Sequence, residues 1–224
     1  MRRLCLIFLV LLIPQSVIAG AWPREQGAVF LSFSTLLTTP KGDVGADLES
    51  TPSIYLERGM RRDLTFGLDA RMNFQGDYSA LVFLRRPIGI KKQGHRLALL
   101  VGLGADLNGS DLDPLLRLGA AWGKGVSTGL GNGWASIDAT LDYQSAQNDV
   151  AIKTDFTFGL KPNDRNKFIF QLQAGDYPGS DPYLRFAPSY VRQIGEGRHI
   201  ELGAQMGLIG DDRLGLKLGT WLEF

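Results

Sequence analysis

Charged side chains alternate with apolar ones along much of this 224-residue sequence. Asp69 and Arg71 stand two positions apart, and so do Lys153 and Asp155. Because side chains alternate across a strand, each pair lies on one face if its segment is extended. Carboxylates and basic groups on such a face attract ions of opposite sign or pair with one another. The pattern therefore predicts a charged strand face rather than a set of isolated charges.

Twelve charged residues occupy this polar parity: Glu57, Asp69, Arg71, Arg96, Arg117, Asp138, Asp142, Lys153, Asp155, Arg185, Glu201 and Lys217. The acidic members could form a patch that attracts cations, and the arginines a ladder that attracts anions. Since the signs are about balanced, we favour ion pairs that neutralise each other and keep the face hydrated. A strongly selective pore would instead show a ring of one sign.

The carboxyl-terminal segment shows most clearly which element carries these charges. From Leu214 to Phe224, apolar residues hold one parity, and glycine, lysine, tryptophan and glutamate hold the other. About 11 residues are enough for a tilted β-strand to cross a bilayer. A last amphipathic strand ending on phenylalanine resembles the terminal strand of bacterial outer-membrane β-barrels. That resemblance implies an assembly signal formed by Leu216, Leu218, Leu222 and Phe224.

The amino terminus has the pattern of an export signal. Arg2 and Arg3 precede an apolar stretch from Leu4 to Ile13, and small residues precede Gly20. This pattern predicts a cleaved signal peptide over residues 1–19 and a single domain over residues 20–224. The one cysteine, Cys5, lies within the signal, so the mature chain is expected to offer no thiolate or disulfide.

Segments of about ten residues with period two recur through the rest of the chain. They predict an all-β fold, an antiparallel transmembrane β-barrel of about 12 strands, and ten or fourteen strands also fit the pattern. The faces of Tyr78–Arg86 cannot be assigned, because both parities are apolar. Pro188 predicts a bulge in a strand from Tyr183 to Val191. Residues 123–133 are assigned to a glycine-rich connection, and residues 104–114 to one of the longest outer connections. The alternative fold is a secreted soluble β-sandwich.

One hairpin resembles a more restricted group of proteins. Tyr55-Leu56-Glu57-Arg58-Gly59, a turn, and then Leu64-Thr65-Phe66-Gly67 are similar to hairpins of small outer-membrane barrels grouped with putative aromatic-degradation transporters. The match covers about fifteen residues. It implies the same barrel fold and does not identify a solute.

An outer-membrane enzyme acting on lipid, of the phospholipase or lipid A-modifying type, is the main alternative function. Such chemistry needs a Ser/His/Asn or Asp/His arrangement near the outer rim. The two histidines, His95 and His199, begin strands that rise from the periplasmic side. Asp111 and Asp113, and the pair Asp211-Asp212, are assigned to outer loops as turn residues rather than Ca²⁺ ligands. No catalytic, metal or cofactor site is predicted.

The pattern as a whole favours a passive narrow channel or transporter for a small solute or ion in the outer membrane of a Gram-negative bacterium. A structural barrel with a plugged lumen is a further alternative. Expected partners are outer-membrane lipid and lipopolysaccharide, with barrel-assembly machinery and periplasmic chaperones during biogenesis. A net charge of +1 gives no reason to expect nucleic acid. The sequence does not determine an oligomeric state.

Overall fold

The computed structural model is a closed antiparallel β-barrel and describes residues 20–42, 48–61, 63–73, 76–89 and 94–224. The strands are β1 (Val29–Pro40), β2 (Glu49–Gly59), β3 (Thr65–Met72), β4 (Tyr78–Ile88), β5 (His95–Asn108), β6 (Asp111–Thr128), β7 (Gly131–Gln144), β8 (Asp149–Asn163), β9 (Asn166–Asp176), β10 (Tyr183–Phe186), β11 (Ser189–Gly195), β12 (Arg198–Ile209) and β13 (Arg213–Glu223). The predicted signal peptide lies outside the described residues.

Each strand pairs with its neighbours in sequence, and β13 returns to pair with β1, from Phe30 opposite Glu223 to Pro40 opposite Arg213. Both β10 and β11 pair with β9 and β12, so they occupy one position in the ring. The ring therefore has twelve strand positions, as the sequence predicts. The break lies at Ala187 and Pro188, because proline has no N–H to donate to the ladder.

Apolar side chains on the outward parity are exposed, whereas those on the inward parity are covered. In β5, Leu103 is 64% exposed and Ala98 only 2%. The unassigned strand β4 turns Leu81 and Phe83 inward, while Val82 and Leu84 face outward. A sandwich would bury one face of each sheet against the other, so the exposed apolar belt around a single closed sheet contradicts that alternative.

Two expectations about connections are wrong. Residues 123–133 are not a loop: β6 continues to Thr128 and β7 begins at Gly131, so only Gly129 and Leu130 connect them. The loop assignment failed because it was based on glycine content, and glycine is common both in turns and where another group packs closely against a strand. In this barrel Gly123 instead lies beneath the ring of Trp22, where an added Cβ would overlap that ring.

The second error concerns residues 104–114 and the acidic pair within them. Both β5 and β6 extend to a short turn at Gly109 and Ser110, with Gly109 at φ +62°. Asp111 and Asp113 are therefore strand residues rather than loop residues. The Asp113 side chain is buried and accepts a hydrogen bond from the Ala146 N–H at 2.8 Å.

Apolar groups fill part of the barrel interior in three buried clusters. Phe30, Val191 and Trp221 form one, Leu81, Phe83 and Leu115 a second, and Ala21, Ala98 and Ala121 a third. The third cluster includes a residue from before β1, so the chain preceding the first strand enters the lumen. Among the described residues, no helix is long and apolar enough to cross a membrane.

Candidate functional site

The most enclosed charged group in the lumen is Glu57 on β2, which is 1% exposed. Its carboxylate accepts a hydrogen bond from the Arg24 Nε at 2.6 Å and another from the Tyr55 hydroxyl at 2.6 Å. Arg85 of β4 donates to the same carboxylate through Nη1. Charge-assisted bonds from two guanidiniums offset the cost of removing this carboxylate from water. The cluster is therefore a fixed ionic element on the β2–β4 side of the lumen.

A second ionic cluster lies further towards the loop that joins β7 and β8. Arg117 of β6 binds Asp142 of β7 in a bidentate pair, with Nε and Nη2 each 2.6 Å from a carboxylate oxygen. The two residues face each other in the β6–β7 register. Asp69 lies 3.5 Å from the same guanidinium, across the lumen. The two-pronged geometry holds the Arg117 side chain in place.

Two lysines, one on β8 and one on β13, are also paired with carboxylates. The Lys153 ammonium is 2.8 Å from Asp155 on the same strand, and the Lys217 ammonium is 3.0 Å from Glu201. The indole N–H of Trp221 also donates to Glu201 at 3.0 Å. These contacts make most of the charge inside the barrel locally balanced, as expected for a mixed lumen.

A cavity of about 570 Å³ remains between these groups. Eight of the twelve sequence-predicted residues line it: Asp69, Arg71, Arg117, Asp138, Lys153, Asp155, Glu201 and Lys217. The other four point inward without lining it. Glu57 and Asp142 are covered by their arginine partners, and Arg96 lies near the β5 end that faces Gly123. Arg185 is paired with Asp211 near the opposite opening.

Two cavity residues were missed or unassigned from the sequence. Arg85 was uncertain because β4 is apolar on both parities, and Arg24 was not considered because it precedes the first periodic segment. Both guanidiniums line the cavity, and both contact Glu57. In the structure, the exposure of Val82 and Leu84 shows that Arg85, on the other parity, faces inward. The sequence offers no comparable signal for Arg24.

Asp138 differs from the other luminal carboxylates in its surroundings. It faces Asp155 in the register of β7 and β8, so two like charges lie side by side. Its hydrogen-bond partner is the Ser136 hydroxyl at 3.3 Å. Within the described part of the chain, no cationic side chain lies within 4.0 Å of it. Asp138 is therefore not in an ion pair with any described side chain, although the charge of Arg85 acts on it from further away.

The histidines do not form a hydrolytic arrangement with neighbouring residues. His95 faces outward, and its Nδ1 accepts a hydrogen bond from the Trp122 indole at 3.0 Å. His199 is buried beside Lys167, Trp221 and Glu223. Neither contact set contains a serine or threonine nucleophile. Across the described ranges, no group of three His, Cys, Asp or Glu side chains is arranged to hold a metal ion.

No protein-family model and no curated protein matches the sequence. Three solved structures are similar over nearly the whole fold. A KdgM porin in complex with disordered oligogalacturonate has a TM-score of 0.63 at 5% identity, with 87% of this chain and 99% of that chain covered. The COG4313 outer membrane channel from Pseudomonas putida F1 has a TM-score of 0.62 at 12% identity, with 94% of this chain and 100% of that chain covered. The NanC porin has a TM-score of 0.60 at 9% identity, with 87% of this chain and 100% of that chain covered.

At such low identity, the likeness shows the fold alone. The chain has the fold of small outer-membrane β-barrels, which confirms the fold class expected from its terminal strand and its alternating segments.

Proposed function

We propose that this protein is a passive outer-membrane channel for a small solute or ion. The observation that carries the proposal is a cavity of about 570 Å³, lined by charged and apolar side chains, inside a closed barrel whose outer surface is apolar. A barrel built only as a scaffold has no need for a hydrated interior lined by mixed charge. The solved barrels with similar folds are described as porins or channels, which supports the proposal.

The charges lining the cavity lead us to expect weak selectivity. Its described lining includes six basic residues, Arg24, Arg71, Arg85, Arg117, Lys153 and Lys217, and four acidic ones, Asp69, Asp138, Asp155 and Glu201. Because several are paired, their fields largely cancel at short range. Glu57 and Asp142 bind three of these arginines from just behind the lining, so six acidic groups balance the six basic ones. Neither anions nor cations are strongly preferred, and neutral or zwitterionic solutes pass with little electrostatic cost.

The location and partners follow from the same proposal. The apolar belt contacts outer-membrane lipid, with lipopolysaccharide around the outer end. Export uses the signal over residues 1–19, and insertion uses periplasmic chaperones and the barrel-assembly machinery, which act on the terminal strand. These steps can be checked by fractionation of cells producing the full chain.

Single-channel conductance of the refolded chain in a planar bilayer tests the channel function. We expect discrete conductance steps, and in a salt gradient a reversal potential near zero, because the paired charges prefer neither ion strongly. Folded protein is verified beforehand by its heat-dependent shift on a gel. Folded protein that inserts but gives no steps in any salt contradicts the proposal and leaves the lipid-acting enzyme or a plugged barrel to be tested with labelled phospholipid.

A further inference from the structure

The chain before β1 does not hang below the barrel but lies within it. We call residues 20–28 the strap. Ala21 has no exposed surface and packs against Ala98 of β5 and Ala121 of β6. The Trp22 ring covers Gly123, whose lack of a side chain makes room for it. Small residues on two strands thus form a seat for the strap on the β5–β6 wall.

Polar contacts hold the other end of the strap to β2 and β3. The Arg24 guanidinium binds Glu57, and the Arg24 backbone N–H donates to the Thr65 hydroxyl at 3.2 Å. The Gly27 N–H donates to the Gly59 carbonyl at 2.9 Å, and the Gly59 N–H donates to the Ala28 carbonyl at 2.9 Å. A Cβ on Gly59 would overlap the Glu25 carbonyl. The strap is therefore fixed to β2 and β3.

The first described residue, Gly20, reaches β7. Its φ of +80° favours glycine, and an added Cβ would overlap the Asp138 carboxylate. Gly20 is thus in contact with Asp138, which faces Asp155 and has no ion pair among the residues that the structure describes. Cleavage before Gly20 would create a backbone ammonium group at this position.

Contacts from β2 and β3 at one end to β7 at the other mean that the strap crosses the lumen. Both Gly20 and Arg24 line the cavity. We propose that the strap is the constriction of the channel, and that the Gly20 ammonium of the processed chain latches it to Asp138 and Asp155. This inference rests on the proposed channel function. It adds an autoinhibitory element that is covalently part of the mature amino terminus.

The latch explains how the wall tolerates the facing carboxylates of Asp138 and Asp155. Asp155 is paired with Lys153, whereas Asp138 faces Asp155 without an ion pair among the described residues, and facing carboxylates repel each other in a confined lumen. A cation supplied by the strap relieves that repulsion. At the other end of the strap, Arg24 binds Glu57, which also binds Arg85. The strap therefore carries one positive group to an acidic site on each side of the lumen.

The placement of the strap is tested without relying on conductance. The sequence holds one cysteine, at position 5, so cysteines introduced into the chain cleaved before Gly20 have no competitors. We expect Ala21→Cys with Ala121→Cys to cross-link with a short bifunctional thiol reagent in the folded barrel. The matched control is Ala21→Cys with Leu118→Cys, because Leu118 faces outward on the same strand. A folded Ala21/Ala121 variant that does not cross-link overturns the proposal.

The constriction and the latch are tested by conductance and mass spectrometry. Removing residues 20–24 should raise unit conductance at least about twofold, and cross-linking the strap should prevent opening events. Asp138→Asn should raise the frequency of open events, whereas Glu196→Gln, an exposed carboxylate in a turn, should not. The intact mass should show a chain starting at Gly20.

Each outcome separates the strap from the channel function. Equal conductance with and without residues 20–24, in protein shown to be folded, overturns the constriction. A silent full-length chain beside a conducting shortened chain contradicts the channel function of the intact chain and supports the strap as the plug that closes its lumen. Silence from both overturns the channel function and the constriction with it, while the cross-link still reports where the strap lies. A mature chain that starts elsewhere than Gly20 overturns the latch.

Discussion

Arg85 and Glu57 form an ion pair between β4 and β2, across the intervening strand β3, and both side chains are at least nine-tenths buried. The same carboxylate binds Arg24. One acidic group therefore compensates two guanidiniums from distant parts of the chain. Removing it leaves two positive charges together in a poorly hydrated space, so Glu57 is expected to be the luminal residue on which barrel stability depends most.

Glu57→Gln should lower the free energy of unfolding by about 3–5 kcal/mol, the usual loss when one partner of a buried ion pair is removed. Urea titration in detergent or lipid, followed by tryptophan fluorescence, measures the loss. Glu49→Gln is the control, because its partner Arg213 is about half exposed and an exposed pair contributes below about 1 kcal/mol. Equal losses in the two variants would contradict the role assigned to Glu57.

The assignment of faces is tested by one arginine on each side of the wall. Leu118 lies mid-strand on β6 and faces outward, paired with Val101 and Leu141. Leu118→Arg should lower stability by about 2–4 kcal/mol if this residue faces the middle of the bilayer. Gln173→Arg, which projects into the lumen near Asp155, should cost much less because the arginine stays hydrated. The reverse order of the two losses would mean that the faces are inverted.

Acid should weaken the contacts that Asp211, in the loop between β12 and β13, makes with Arg185 and Arg213. Burial alone would raise the pKa of the Asp211 carboxyl, but the backbone N–H of Arg213 and the guanidinium of Arg185 hold it below its ordinary value. A carboxyl with a lowered folded-state pKa stabilises the protein above its unfolded pKa of about 4 and loses that contribution as pH falls through the folded value.

Asp211→Asn should therefore have a lower free energy of unfolding than wild type at neutral pH. The difference between the two proteins should become smaller as the pH falls. Unfolding titrations of both proteins at about pH 7 and about pH 3 measure the gap. The matched control is Asp212→Asn in the same loop, whose effect should change less with pH. A gap that is constant or widens under acid would rule out this explanation.

The terminal residue closes the barrel through its backbone. The Val29 N–H donates to the Phe224 carbonyl at 2.6 Å, and the Phe224 N–H donates to the Val29 carbonyl at 3.1 Å. Deleting Phe224 should reduce the amount of folded barrel in the outer membrane, because both these bonds and the proposed assembly signal are lost. Heat-modifiable gel bands of membrane fractions measure it. Phe224→Tyr keeps the backbone bonds and an aromatic terminus and should remain near wild type.

The inward and outward faces could be predicted because lipid contact imposes a period of two, as in Leu97–Leu103 of β5. The ion-pair partners of the luminal side chains could not be predicted. Parity places both Arg117 and Asp142 inward, but their pairing depends on the register of β6 against β7, which no local pattern defines. The position of Arg24 depends on a segment without periodicity and on the space left by Gly123 and Gly59. Gly123, which was assigned to a loop, is a strand residue that makes room for the Trp22 ring of that segment.

The pairing of β1 with β13 also governs the order in which the molecule can be made. Phe30 has its partner in Glu223, so the first strand cannot complete its hydrogen bonds until nearly the last residue has been synthesised. Until then two open sheet edges are available for pairing with other chains. Such a non-local closing contact is slow to form. Closure of this barrel is therefore expected only after translation has ended.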